Sequence, residues 1–394
     1  MNILYINHYA GSLRHGMEFR PAYLGKEWLR QGHRVRVVAS SFSHLRRVQP
    51  SPVKSFEIES VEGVDYQWLK CPTYSGNGVG RVLNIFCFVL KLFFGQKNIV
   101  RGFVPDVVVA SSTYPLDVIP AYFLARRHKA KLVHEVHDLW PLTLIELGGV
   151  SKYNPLVMLF QWAENFSYRN VDRVVSMLQK ADHYMVEHGL DPKRFCYVPN
   201  GVFAEDWRNP EALNPQVSQK IAELKSRGFF ILGYAGAHGV ANALEFLMDA
   251  ARRLVNDPIA IVMVGQGEQK PLLKKFAMKQ GLRNVYFFES IPKLQIPVFL
   301  SEIDAAYIGW SRKSIYRFGI NPNKILDYMM AGCPIVHSVT AGNDWVQEAG
   351  AGISVEAENS EKIAEAILCM SRVSLEERRI YGECGRKFVV ERHL

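Results

Sequence analysis

Residues 312–335, RKSIYRFGINPNKILDYMMAGCPI, decide how this chain is read. The stretch opens with three cations, Arg312, Lys313 and Arg317. Phe318-Gly319 and Asn321-Pro322 then punctuate it, because Gly permits positive φ and Pro disfavours helix before it. From Asn323 the pattern is helical: Ile325, Leu326, Met329 and Met330 recur at helical spacing, and Gly332 with Pro334 stops the run. Asn323 and Lys324 therefore fall in the first turn, with Asp327 one turn on. Unpaired backbone N–H groups and the positive end of the helix dipole sit there. A lysine beside such an end suits a diphosphate. A carboxylate one turn later can accept hydrogen bonds from ribose hydroxyls. The plain alternative is a capped surface helix with a solvated lysine.

Around this stretch, strands alternate with helices. In the second half, residues 229–234 read as a strand, 236–239 (Gly-Ala-His-Gly) as its loop and 242–254 as a helix. Residues 259–264 are a buried strand leading into Gly265-Gln266-Gly267-Glu268, and 285–288 a strand leaving through Glu289-Ser290-Ile291-Pro292. Strands at 303–308 and 334–338 flank the opening stretch, and helices at 361–371 and 376–390 follow. In the first half, the strand at 3–6 runs into Asn7-His8-Tyr9-Ala10-Gly11, a helix spans 18–31 and a strand 35–39. Such a βαβ unit implies parallel strands and a right-handed crossover. Ligands of such sheets collect beyond the carboxyl ends of the strands, which is where Gly11 lies. Residues 40–80 read as irregular, rich in Ser, Pro and Arg. Residues 81–94, RVLNIFCFVLKLFF, are strongly apolar and too short to span a bilayer; they read either as a helix packed on the sheet or as a helix in a membrane interface. A strand at 131–135 ends in Val136-His137-Asp138-Leu139-Trp140-Pro141. A His-Asp pair there can orient or deprotonate a hydroxyl, or simply satisfy loop backbone. Pro199-Asn200-Gly201 is a strong turn signal near the middle of the chain.

The 394 residues suffice for two domains. A content of 48% hydrophobic and 22% charged residues excludes a disordered chain. Six scattered cysteines without a C-x-x-C pair suggest neither a zinc site nor a disulfide framework. The N-terminus reads as a first strand, not a signal peptide, and no run of 18 apolar residues exists. Of the net charge of +9, residues 1–200 hold +8 and the remainder +1. Any anionic partner should therefore meet the first half. The basic residues are dispersed and no nucleic-acid motif appears, so an anionic membrane surface is favoured over nucleic acid.

FGINPNKILDYMMAGCPI resembles the donor-binding segment of retaining glycosyltransferases of family 4, and more narrowly the bacterial members that build O-antigen and capsule repeat units. EVHDLWP and Tyr197-Val-Pro-Asn-Gly-Val202 resemble further segments of that family. The resemblance implies the GT-B fold: two doubly wound, Rossmann-like α/β domains facing a central cleft. The expected domains are 1–200 on the acceptor side and 201–375 for the nucleotide sugar, with a last helix at 376–394 that in such proteins crosses back to the first domain. It implies a donor site drawn from Gly11, Asn200, Gly201, Gly236, Gly239, Gln266, Gly267, Ser290, Ile291, Asn321, Asn323, Lys324 and Asp327, with His137 and Asp138 as catalytic residues. No metal or cofactor is implied. The implied substrates are a nucleoside-diphosphate sugar, UDP-linked and of the N-acetylated amino or deoxyamino kind such as N-acetylfucosamine, and a saccharide on undecaprenyl diphosphate at the cytoplasmic membrane face. Two departures stand out. The family's two glutamates, separated by seven residues, appear here as Gly319 and Asp327, and its arginine–lysine pair near the 236–242 loop is missing, which leaves Lys324, with Arg312, Lys313 or Arg317, to supply positive charge. A nucleotide-sugar epimerase on the same fold, or a transferase acting on a small soluble acceptor, are the alternatives.

Overall fold

A computed structural model describes residues 1–12, 14–76 and 78–394. The chain divides into two compact units, 1–199 and 200–394.

The first unit is built on eight strands: β1 (Asn2–Ile6), β2 (Arg34–Ser40), β3 (Glu57–Val61), β4 (Val64–Leu69), β5 (Val107–Ala110), β6 (Lys131–Val136), β7 (Arg173–Ser176) and β8 (Phe195–Tyr197). Their order is β3-β4-β2-β1-β5-β6-β7-β8, and only the β3–β4 pair is antiparallel. Ile3 to Ile6 and Val108 to Ala110 are buried throughout, as expected for parallel strands covered on both faces. The order reverses between β1 and β5, so the loops leaving these strands, with that leaving β6, share one end of the sheet.

The expectation of an irregular 40–80 segment is corrected: β3 and β4 form a hairpin at the sheet edge. Glu62 and Gly63 both have positive φ, 53° and 86°, as a two-residue type I′ hairpin turn requires. Val64, Tyr66 and Trp68 are buried. The Ser- and Pro-rich flanks masked this short alternation. The helix Val79–Phe94 follows; Asn84, Ile85, Phe88 and Leu92 form its buried stripe.

The second unit carries six parallel strands, β9 (Phe230–Ala235), β10 (Ile259–Val264), β11 (Val285–Phe288), β12 (Ala305–Gly309), β13 (Ile335–Ser338) and β14 (Gly352–Val355), in the order β11-β10-β9-β12-β13-β14. Alternate residues of β9 feed the two faces. Ile231 and Ala235 join the core that holds Ile325, Met329 and Phe388, while Phe230, Leu232 and Tyr234 join the core that holds Leu247 and Ile367. The strand order reverses between β9 and β12, the point at which doubly wound sheets open a crevice for ligands.

The last helix, Leu375–Arg392, starts at a capping box of Ser374 and Glu377 and packs on the helix Asn323–Met330 within this unit. Its end returns to the start of the unit, where Val202 N–H donates to the His393 carbonyl at 2.7 Å. The packing depends on Gly382: a Cβ there would lie 1.9 Å from the carbonyl oxygen of Gly332, in the turn that ends the partner helix. Gly382→Ala must push two backbones apart and should cost about 1–3 kcal/mol. The expected readout is a melting temperature lower by several degrees. Gly78, with nothing within 4 Å of a built Cβ, is the control position. Equal melting of wild type and Gly382→Ala would contradict the close packing.

Candidate active site

In the second unit the site grows from the helix Asn323–Met330. Pro322, in extended conformation, ends the preceding loop. Ile325, Leu326, Met329 and Met330 are buried and hold one face of the helix on the sheet. Tyr328 bolts it to the last residue of β9: its hydroxyl accepts from Ala235 N–H at 2.8 Å and donates to the Ala235 carbonyl at 3.1 Å. Lys324 is thereby brought to the carboxyl end of β9. Its ammonium donates to the Tyr234 hydroxyl at 3.1 Å and to Asn242 Oδ1, and lies 4.8 Å from the Tyr234 ring centre. Gly236 makes room for it, since a Cβ there would lie 2.6 Å from Lys324 Cδ. No carboxylate is paired with Lys324 among the described residues. Desolvation alone brings its pKa down to about 7.

His238 lies fully buried in the same loop, and neither ring nitrogen has a partner among the described residues. Burial, then the charges of Lys270 and Lys324, push its pKa down to about 4, so it is neutral. Its backbone N–H donates to the Gln266 carbonyl at 2.7 Å, and Gly267 packs directly on its backbone. The structure therefore gathers Gly236, Gln266, Gly267 and Lys324 about one loop, with Gly239 at its far side. Ser290 is exposed at the β11 exit, and Ile291 packs on the core. Asn323 opens the helix. Asn321 meets Asn200: its Oδ1 accepts from Asn200 N–H and its carbonyl from Asn200 Nδ2, both at 3.2 Å. Gly201 lies against the His393 carbonyl. Asp327 is held by Lys293, whose ammonium donates to both carboxylate oxygens at 2.5 Å.

Two of the extra cations expected from the 312–317 loop have partners of their own. Arg312 pairs with Glu356 at 2.9 Å, and Arg317 donates to the Ser314 carbonyl at 2.7 Å. Two other lysines were missed. Lys293 is one. Lys270 is the other; it is buried, and it donates to the Gly265 and Phe288 carbonyls at 2.8 Å and to Glu289 Oε1 at 3.0 Å, tying together the exits of β10 and β11. Nothing local in the sequence marks either.

In the first unit, His137 and Asp138 follow directly on β6; desolvation raises the pKa of the Asp138 carboxyl, and the His137 charge acts on it in the opposite sense. Residues two apart on a strand share a face, so His137 turns with Glu135, and Asp138 turns to the exposed side of the loop. The carboxylate facing the ring is Glu135, at 3.3 Å, and Ser111 Oγ lies 2.8 Å from His137 Nε2. Glu135 also accepts from Ser111 Oγ at 2.6 Å, from the Tyr5 hydroxyl, and from Arg20 Nη2 at 2.9 Å. Arg20 in turn donates to the Val198 and Pro199 carbonyls at 3.0 and 2.8 Å. Burial opposes the Glu135 charge, but Arg20 and His137 outweigh it and hold its pKa well below the usual range. Burial likewise pulls His137 down, yet its hydrogen bond to Glu135 and that carboxylate's charge prevail and raise its pKa. A raised histidine opposite a fixed carboxylate can take a proton and hold it. At Gly11 a Cβ would lie 1.9 Å from the Gly16 carbonyl oxygen, so its own loop leaves no room for a side chain.

Two measurements check the Glu135 network. Glu135→Gln should lower the His137 pKa in an NMR titration of the ring protons. It also leaves the Arg20 guanidinium buried without its counter-charge, a loss worth about 3–5 kcal/mol. An unmoved His137 titration in folded Glu135→Gln protein would contradict the coupling.

Comparison with known proteins agrees with this geometry. Residues 15–201 match the family model of the glycosyl transferase 4-like domain, and residues 230–372 that of glycosyl transferases group 1. The chain is 25% identical over 358 residues to WcaI of Escherichia coli K12, whose name assigns it to glycosyl transfer in colanic acid biosynthesis; the match covers 86% of this chain and 85% of WcaI. Among solved structures, it resembles sucrose-phosphate synthase of Thermosynechococcus elongatus (TM-score 0.75, 14% identity, 100% of this chain and 95% of that one). It also resembles Anabaena HepE in complex with UDP-glucose (TM-score 0.65, 14% identity, 100% and 96%). With two Rossmann-like units and two family domains that together span most of its length, the chain belongs to the GT-B glycosyltransferases that join a glycosyl transferase 4-like domain to a group 1 domain.

Proposed function

We propose that this glycosyltransferase moves a sugar, with retention, from a UDP-sugar to a lipid-linked saccharide during assembly of a bacterial surface polysaccharide. The observation that carries the reading is the placement of Lys324. It is a largely desolvated ammonium at a helix N-terminus, beside a glycine at the point where the strand order reverses, with only neutral partners. A diphosphate is the ligand whose charge that arrangement lacks.

As the bond between the anomeric carbon and the diphosphate breaks, negative charge grows on the leaving phosphate oxygen. Lys324 and the N–H groups of the helix Asn323–Met330 would stabilise that charge. Asp327, steadied by Lys293, would accept from the ribose hydroxyls, and the β11 exit at Ser290 and Ile291 would meet the base edge. Gly201 and the paired Asn200 and Asn321 would line the donor site. In the first unit His137, backed by Glu135, would contact the transferred sugar or accept the acceptor's hydroxyl proton; Asp138 would line the acceptor side of that loop. HepE, of similar fold, binds UDP-glucose, which supports a UDP-linked donor. The name of WcaI supports a surface polysaccharide. An N-acetylated amino or deoxyamino sugar is the donor class proposed first. A lipid-borne acceptor would place the work at the inner face of the cell membrane. No described helix is long and apolar enough to cross that membrane, and the first unit holds nearly all the positive charge.

The test is turnover of a panel of UDP-sugars with lipid-linked saccharides, analysed by mass spectrometry of donor and lipid. The expected result is UDP release matched by a glycosylated lipid. Lys324→Ala should lower kcat/KM by about 10²-fold or more, the size of effect seen when one charge-stabilising donor is removed. Isomerised donor in the absence of acceptor, or wild-type turnover by Lys324→Ala, would overturn the reading.

A further inference from the structure

The first unit carries an apolar surface that its own core does not use. On the helix Val79–Phe94, the buried stripe already packs on the sheet. Val79, Leu83, Leu90 and Phe94 line the opposite side at helical spacing and stay exposed, Phe94 to 80%. The surface continues across two more helices, Val118–His128 and Pro155–Asn170, as a string of touching rings. Phe94 meets Phe93 at 5.4 Å between centroids, Phe93 meets Phe123 at 5.6 Å, and Phe123 meets Tyr122 at 5.5 Å. Tyr122 meets Phe166 at 5.3 Å and Phe166 meets Trp162 at 5.9 Å. Phe123, Met158 and Trp162 are each about half exposed. An exposed patch of this extent marks an interaction surface.

Charge says what covers it. The three helices carry Arg81, Lys91, Arg126, Arg127 and Arg169. Their single carboxylate, Glu164, is buried, where it accepts from the Tyr168 and Tyr184 hydroxyls at 3.0 Å. Lys97, Arg101 and Lys129 are exposed at the helix ends. Arg126 sits at the rim of the ring string, its Nε donating to the Tyr122 hydroxyl at 3.1 Å. A protein partner would need carboxylates matched to these cations one by one; a sheet of anionic headgroups meets them all at once. Half-exposed rings within a cationic rim are also the composition of a surface that enters the headgroup boundary.

We propose that the outer faces of these three helices form the face with which the chain lies on a bilayer rich in anionic lipid, with Phe93, Phe94, Phe123 and Trp162 entering the headgroup layer. The inference rests on the lipid-borne acceptor for its purpose, and deepens that reading by naming the face. Arg81, near one end of the surface, lies over the rings of Tyr9 and Trp140, in loops at the same end of the sheet as His137.

The test is flotation of the full-length chain with acceptor-free vesicles, either of phosphatidylcholine alone or with about 30% phosphatidylglycerol, at about 0.1 M salt and at high salt. Wild type should float with the anionic vesicles and lose most of this at high salt. Phe94→Ser with Phe123→Ser should weaken binding about tenfold or more. Arg126→Glu with Arg127→Glu should weaken it on the order of tenfold. All variants should keep the wild-type melting temperature and its rise with UDP. No flotation of wild type, or flotation unchanged in the Phe variants, would overturn the face. So would a dimer in light scattering that the Phe substitutions dissociate, because a second copy would then cover the patch. Vesicles without acceptor keep the two readings apart: flotation without sugar transfer sinks the proposed function and leaves the face, and transfer in detergent without flotation does the reverse.

Discussion

The second unit is arranged around an ammonium group that has no counter-charge. Taking a lysine out of water costs free energy that an adjacent carboxylate would ordinarily offset. At Lys324, among the described residues, the offset comes from Tyr234 and Asn242, both neutral. Several features keep the amine there. The strand order reverses between β9 and β12, Pro322 sets where the helix begins, and Tyr328 fixes the helix to Ala235. Gly382 allows the last helix to press against the other end. A site stressed in this way is relieved by an anion, which is how preorganised charge favours a leaving diphosphate.

The first unit solves the opposite problem. Around His137 the buried charges are paired: Glu135 is held by Arg20 and in turn holds His137. A buried pair contributes little net stability, but it fixes orientation. Here it fixes the ring of His137 and, through the Val198 and Pro199 carbonyls, the last residues of the unit. Lys324 in the second unit has neutral partners, whereas His137 in the first faces a carboxylate.

Much of this was legible in the sequence because the deciding signals are local. The buried strands at 3–6 and 259–264, the strand at 285–288 and the Pro322-Asn323-Lys324 helix start need only neighbouring residues to be read. What was missed depends on residues far apart in the chain. Arg20 reaches Glu135 across more than a hundred positions, and Lys293 reaches Asp327 from a different loop. That Glu135 faces His137 could have been read from the sequence alone, since residues two apart in an extended segment share a side. The β3–β4 hairpin left a faint trace, Glu62-Gly63 between alternating apolar residues, which the surrounding Ser and Pro obscured. The apolar stretch at 81–94 was ambiguous because both of its faces are apolar; only the fold shows which face the core takes and which it leaves.

The central claim, that Lys324 is held without a counter-charge where a diphosphate would supply one, is tested most directly by titration calorimetry of a UDP-sugar into the protein at about pH 8, in two buffers of different ionisation enthalpy. With a free-state pKa of about 7, the amine is mostly neutral at that pH. A bound diphosphate must raise its pKa, so binding should take up close to one proton, about the full occupancy of a single titrating group. Uptake of that size in wild type, absent from any residual binding by Lys324→Met, is the result expected. Wild-type binding whose heat is the same in both buffers would contradict it.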